Sequence, residues 1–276
     1  MSRKLKVLLL FAIATIFLIS VAVIIYPLAS NLQAEKQKDA IVLRYQKAIS
    51  SDEMADKALF AARMYNATLA NGQTFSTDYE QLLDPNGTGM MGIVTIPAIG
   101  VELPIYHGNQ SLELGAVHLQ GTSLPVGGKG THCVISAHSG MSTQKMFTDL
   151  NQLVIGDVFC LTVYGKQISY EVDQILTVLP EETGPLQIEK GADYCTLLTC
   201  TPYGINTHRL LVRGCRVEIL EKEIADIEIQ QKPSTWTQEY FKGILYGIGF
   251  VVLATATIGA FLFIQKRRKN KCAKKH

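Results

Sequence analysis

The apolar positions of this chain fall into three regimes. Residues 7–28 and residues 243–264 are unbroken uncharged apolar stretches, each near the ~20 residues that a helix needs to cross the hydrocarbon core of a bilayer. Residues 34–70 instead place apolar side chains at helical spacing: Ile41 and Ala48, then Leu59, Ala62, Tyr65 and Leu69. Ser50 with Glu53 reads as an S-x-x-E capping box that restarts the helix, so the pattern predicts two helices after the first span. Residues 71–90, with Asn71-Gly72 and Asp84-Pro85-Asn86-Gly87, carry turn chemistry and read as a loop.

Beyond that loop the period changes from helical to β. Short β-type runs at 93–96, 101–105, 132–137, 158–163, 168–178, 195–199 and 207–219 recur between turns. This spacing predicts a closed antiparallel-rich sheet or barrel of about 130 residues. Residues 221–239, acidic and broken by Pro233, connect it to the second apolar stretch. No internal repeat or low-complexity tract interrupts the pattern.

Charge gives the pattern an orientation. The net charge of +2 conceals a segregation: Arg3, Lys4 and Lys6 precede the first span, eight Lys or Arg occupy residues 241–276, and neither end holds an acid. Residues 31–240 hold all 24 acids against 15 Lys and Arg, a net −9. A basic nucleic-acid-binding chain is not distributed this way. The positive-inside rule puts both termini in the cytoplasm, with the lipid bilayer as a partner and the acidic middle outside the cell. The first stretch exceeds the roughly 7 to 15 residues of a signal-peptide core and ends in no clear small-x-small site, so it reads as an uncleaved anchor.

The candidate chemistry lies in "TLLTCTPYGINTHRLLVRGCR", residues 196–216. A strand ends at Cys200, Thr201-Pro202-Tyr203-Gly204 supply a turn, and a second strand starts near Thr207, so Arg209 folds back beside the cysteine. A cysteine nucleophile needs thiolate character, which a neighbouring His or Arg stabilises. Among the six histidines, His138 stands where the strand "HCVISA" runs out into "HSG", a strand end like that of Cys200. His132 begins that strand, His107 and His118 lie in or near turns, His276 is terminal, and alternation puts His208 on the face opposite Arg209. Cys133, Cys160, Cys195 and Cys215 lie in strands, where an extracellular setting allows disulfides; the favoured reading is free thiols at small apolar positions, because no dense disulfide framework surrounds them. A zinc site from His132, Cys133, His138 and Cys200 lacks any C-x-x-C or H-x-x-x-H pair, so no metal or cofactor is expected.

These residues carry a resemblance. "TLLTCTPYGINTHRLLVRG", with "MGIVTIPAIGVELPIYHG", "GAVHLQGTSLPVGGKGTHCVISAHSG" and "KMFTDLNQLVIGD" upstream in the same order, is similar to the class C sortases, the pilin-polymerising cysteine transpeptidases of Gram-positive bacteria. The likeness covers roughly residues 90–220. It implies a mainly β protein: a closed sortase-like barrel of about eight strands, with an N-terminal helical region and two flanking transmembrane helices. The expected division is 1–30 basic end and first transmembrane helix, 31–88 helices and loop, 89–220 catalytic barrel, 221–242 connector, 243–265 second transmembrane helix and 266–276 basic tail.

The resemblance further implies a catalytic set of Cys200, His138 and Arg209. Cys200 would attack the Thr-Gly carbonyl of an LPxTG-like sorting signal, His138 would protonate the leaving amine, and Arg209 would hold the developing oxyanion. A lysine amine of another pilin subunit would resolve the thioacyl-enzyme, whereas water would give hydrolysis. The partners implied are pilin or surface-protein substrates bearing such signals. Two alternatives put the same fold to other uses: housekeeping anchoring of proteins to peptidoglycan, and a non-catalytic assembly scaffold. The chain departs from the family pattern twice. Ala137-His138-Ser139-Gly140 stands where Gly-His-Arg-Gly is common, and Asp84-Pro85 is followed by Asn86 rather than by the aromatic of an Asp-Pro-aromatic lid. Phe75 and Tyr79 are the nearest rings, and no Asp-Pro-anchored lid is expected over Cys200.

Overall fold

A computed structural model of the chain describes residues 3–73, 78–108, 111–141, 144–218 and 232–234, and most of 238–260. It divides into two units, Met1–Ser234 and Thr235–His276. In the first, α1 (Arg3–Ala48) is one continuous helix that merges the predicted span with the helix after it. It is long and apolar enough to cross a bilayer, with a mean hydropathy of 2.0 over a stretch of which nothing is buried. Toward its C-terminal end the exposed face gives way to a docked one. Val42 and Tyr45 pack with Met90, Ile93, Tyr106 and Val117, and the Tyr45 hydroxyl donates to the Met91 carbonyl at 2.7 Å while accepting the Tyr164 N–H at 3.0 Å.

The second helix, α2 (Asp52–Ala70), starts one residue later than the predicted capping box. Ser51, in extended conformation, accepts the Met54 N–H at 3.2 Å, which satisfies one of the free donors of the first turn. The box of Ser50 and Glu53 is therefore corrected: Glu53 is spent on Lys57 at 2.6 Å, one helical turn on. Ala55, Leu59, Ala62 and Asn66 form the buried face of α2. The Asn66 amide donates to the Leu124 carbonyl at 3.1 Å and accepts the Leu124 N–H at 2.7 Å, which ties α2 to the barrel. In the loop after α2, Tyr79 is buried, with its hydroxyl 2.8 Å from His118 Nδ1. The Asp84 carboxylate accepts the N–H groups of Thr88 and Gly89, closing its own turn. Phe75 lies outside the described residues.

Eight strands make up the rest of this unit: β1 (Met90–Ile96), β2 (Val101–His107), β3 (Ala116–His118), β4 (Thr131–Ser136), β5 (Val158–Val163), β6 (Lys166–Val178), β7 (Asp193–Thr201) and β8 (His208–Val217). They close into a barrel in the order β1-β2-β3-β4-β7-β8-β6-β5. Seven of the eight coincide with predicted runs; β3, three residues long, does not. The sheet is mixed, since β2 runs parallel to β3 and β4 parallel to β7. Tyr164 and Gly165, both at positive φ, make the tight β5–β6 turn. The interior is apolar, with Ile96, Ile105, Ile135, Phe147, Phe159, Tyr170, Leu197 and Val212 in one cluster. Phe159 stacks on Tyr170 at 5.5 Å, and Gly214 must lack a side chain there, because a Cβ would lie 2.6 Å from the Phe159 ring.

In the second unit an apolar helix spans Tyr240–Val251. Residues 261–276, with the end of the predicted second span and the basic tail, lie outside the described residues, as do residues 219–231 of the predicted connector.

Candidate active site

Strand alternation sorts the side chains of β4, β7 and β8 onto two faces. Cys133, Ile135, Ala137, Cys195, Leu197, Leu210 and Val212 belong to the core, so the residues of opposite parity, Cys200, Arg209 and His138 among them, face outward. Cys200 and Arg209 are direct partners across β7 and β8. On the other side of β7, the parallel register with β4 ends at Ser136 opposite Leu198. It is prolonged by Ala137 N–H donating to the Leu198 carbonyl at 3.2 Å and by the Thr199 hydroxyl donating to the Ala137 carbonyl at 2.8 Å. The next step brings His138 level with Cys200. The three predicted residues thus form one row at the end of the barrel, all half-buried.

The loop after His138 is fastened to that row. The Ser139 hydroxyl donates to the Cys200 carbonyl at 2.6 Å, Gly140 N–H donates to the Thr148 hydroxyl at 3.1 Å, and Phe147 N–H donates to the His138 carbonyl at 3.0 Å. Gly140, at a φ of 76°, packs against Tyr203 of the β7–β8 turn. Ser139 was legible in the sequence only as a missing charge; its hydroxyl is a clip between the histidine loop and the cysteine strand.

Two arginines share the outward face of β8, and their surroundings differ. Arg213 holds Asp173 through two bonds of 3.0 and 2.8 Å, approaches Glu189 at 3.5 Å and lies over the Tyr194 ring. Donating to the Asp173 carboxylate is the main reason its pKa is raised. Asp173 reaches it because the β6 register shifts between Val172 and Gln174, a bulge that frees the residue from the ladder. Arg209 donates to the Asn206 and His208 carbonyls, at 3.2 and 3.0 Å. Among the described residues it has no carboxylate partner.

Two other histidines have partners away from the row. Buried His132 bonds the Gln187 carbonyl through Nδ1 and the Thr196 hydroxyl through Nε2, and burial lowers its pKa. His208 pairs with Thr201 and bonds Thr207. Cys133 faces Cys195 inside the barrel, on the side away from Cys200 and His138, so the four-residue zinc grouping weighed from the sequence does not converge. Cys133, Cys160 and Cys195 are buried free thiols and Cys215 an exposed one; burial pushes the Cys195 thiol well up. The cavity of about 100 Å³ between α1 and the β1–β2 turn, lined by Glu35, Lys38 and Glu102, includes none of the three site residues.

A closed mixed barrel that carries cysteine, histidine and arginine side by side at one rim defines a cysteine acyl-transfer scaffold, and the sequence relatives agree. The sortase-domain family model matches residues 94–217. Sortase C1 of GBS pilus island 1 superposes with a TM-score of 0.62 at 40% identity, over 67% of this chain and 94% of that one. Clostridium perfringens sortase C, solved with the C-terminal cell wall sorting motif, gives a TM-score of 0.58 at 43% identity over 65% of this chain and 99% of that one. Sortase A of Bacillus anthracis is 25% identical over 201 residues, 72% of this chain and 90% of its own length. The chain belongs to the sortase family of cysteine transpeptidases, and the structures it resembles at about 40% identity are class C sortases.

Proposed function

We propose that the chain is a membrane-anchored, pilin-polymerising transpeptidase acting through Cys200, His138 and Arg209. The Cys200 thiolate attacks the Thr-Gly carbonyl of an LPxTG-like sorting signal. Arg209, whose guanidinium has no carboxylate partner among the described residues, donates to the oxyanion as charge develops. His138 protonates the departing glycine amine, leaving a thioacyl-enzyme on Cys200. A lysine amine of a second pilin then attacks the thioester, His138 takes up its proton, and an isopeptide bond forms as the thiolate leaves. The observation that carries this reading is the direct pairing of Cys200 with Arg209, with the His138 loop clipped to the Cys200 carbonyl. The pilus assignment rests on likeness to a sortase C1 described from a pilus island.

The same reading makes α1 the anchor, 243–265 a second membrane helix and both termini cytoplasmic, with 89–220 as the catalytic barrel. The charge segregation supports that orientation. Incubating the full chain in detergent micelles with an LPxTG peptide and a pilin tests the chemistry. The expected products are a mass adduct on Cys200 and a peptide–lysine conjugate, both absent in Cys200→Ala. A conjugate formed equally by folded Cys200→Ala would sink the assignment. For the topology, a membrane-impermeant thiol probe on wall-stripped cells should reach a cysteine introduced at Gln231 and miss Cys272; the reverse labelling would mean inverted orientation.

A further inference from the structure

The barrel has a second mouth, at the end away from Cys200. Asp193 opens β7 and Cys200 lies seven residues along it, about 23 Å at the usual strand rise. Thr131, Asp193 and Arg216 share the inward parity of Cys133, Cys195 and Val212 and line a cavity of about 450 Å³ that α2 and the 127–129 loop complete. Barrel mouths of this size are common ligand sites.

The charge in this mouth is unbalanced. Arg63 from α2, Lys129 from the β3–β4 connection and Arg216 from β8 all line the cavity, and among the described residues none forms an ion pair. On a middle segment with nine more acids than bases, three unpaired cations from three elements are unexpected. The one acid present, Asp193, is already satisfied: its Oδ2 accepts Gly128 N–H at 2.8 Å, and its Oδ1 accepts the hydroxyls of Thr131 at 3.2 Å and Tyr170 at 3.1 Å. That bonding holds the carboxylate on the glycine loop, and its one negative charge offsets only one of the three cations. Gly127, at a φ of 63°, holds a left-handed conformation that strains any side chain, and a Cβ there would crowd Asp193 Oδ2 at 3.0 Å.

We infer that this mouth is an anion-binding site for a phosphate group, as a monoester or diester, held by Arg63, Lys129 and Arg216. A planar carboxylate is satisfied by one arginine fork, whereas a tetrahedral phosphate offers oxygens to donors arriving from several directions. The site is independent of the proposed transpeptidation, since its residues lie at the opposite end of the strands that carry Cys200 and Arg209. A lipid headgroup and a soluble phosphodiester share this chemistry.

The test titrates glycerol 3-phosphate into the full chain in zwitterionic micelles by calorimetry. Saturable binding is expected, weakened by about tenfold or more in Arg63→Gln/Lys129→Gln, as two charge-assisted contacts require. The charge-matched Lys36→Gln/Lys47→Gln on α1 should bind like the parent. Arg63 and Lys129 are exposed and unpaired, so the double variant should fold and keep its transpeptidation. Repeating the titration in phosphatidylglycerol nanodiscs separates the sources: apparent weakening means the headgroup already fills the mouth, and unchanged affinity means a soluble phosphate. Both results support the site. No saturable binding, equal binding by acetate, or equal weakening in the α1 control would overturn it.

Discussion

Ser139→Ala isolates the contribution of the clip between the histidine loop and the cysteine strand. The substitution deletes one hydroxyl and with it the 2.6 Å bond to the Cys200 carbonyl. It leaves the Gly140–Thr148 and Phe147–His138 bonds in place, so the loop stays folded. A neutral hydrogen bond contributes about 0.5 to 1.5 kcal/mol net. The carbonyl is only partly buried, so water replaces some of what is lost. If the whole contribution holds His138 level with Cys200, kcat/KM falls by about fivefold for 1 kcal/mol and about twelvefold for the upper value. Neither the thiol nor Arg209 is touched, so alkylation of Cys200 by iodoacetamide should stay within about twofold of the parent. Ser139→Thr keeps the hydroxyl and should recover most of the loss. The assay is peptide-cleavage kinetics beside alkylation rates on the same preparations. Two results refute the reasoning: unchanged kcat/KM, which makes the bond incidental, or a loss near the hundredfold or more of a missing oxyanion donor, which makes Ser139 a participant in the chemistry.

Four further outcomes are expected. Arg209→Ala should lower kcat by about a hundredfold to a thousandfold with the thermal midpoint held, and Arg209→Lys should restore only part, because the ammonium lacks the fork; normal turnover in Arg209→Ala would remove it from the mechanism. Asn66→Ala strands the buried Leu124 N–H, while the Leu124 carbonyl keeps the Val126 N–H at 2.7 Å, and should cost about 1 to 3 kcal/mol in urea unfolding; a change below about 0.5 kcal/mol would mean the pin carries no stability. Buried His132 has a folded pKa lowered chiefly by desolvation, so the folded chain binds fewer protons than the unfolded one. Its contribution is complete above the unfolded pKa of about 6.5 and is lost as pH falls below it, by at most about 1.4 kcal/mol per pH unit; a parent and His132→Gln with identical pH slopes would refute this. Finally, deleting residues 74–77 should leave the thiol-probe rate at Cys200 little changed, whereas a large acceleration would reveal a lid built on Phe75. The deletion must stop short of Tyr79, which belongs to the core.

Seven strands were legible because each is long enough to show its alternation or a β-branched run between turns. β3 escaped because three residues show no period, and it is held by a parallel partner, β2, that no tight turn announces. The mixed order of the barrel was hidden for the same reason: parallel pairs are non-local, and alternation within a strand carries no record of its neighbour. At the start of α2 two adjacent serines both precede the helix, and residue type alone does not choose between them. The Ser51 oxygen reaches Met54 N–H, while Ser50 turns to the Met54 sulfur.

The site divides along the same line. Cys200 and Arg209 flank one turn, so local pattern was enough to bring them together. His138 and Cys200 meet only through the parallel β4–β7 pair, and no residue spacing could show that; the resemblance supplied it. The different surroundings of the two outward arginines of β8 were beyond the sequence, since Arg209 and Arg213 have the same parity and both are strand residues. A single bulge separates them. By skipping one residue of β6, it lets Asp173 take up Arg213, and Glu189 approaches the same guanidinium. On the neighbouring strands, His132 and Thr196 satisfy each other. Charge and hydrogen bonding are thereby used up along the face until the last row, where among the described residues Arg209 bonds carbonyls and no carboxylate, which fits the oxyanion role proposed for it. Arg209 is therefore set apart by two things together, its pairing with Cys200 and the neutralisation of Arg213 two periods of alternation further along the same face of β8.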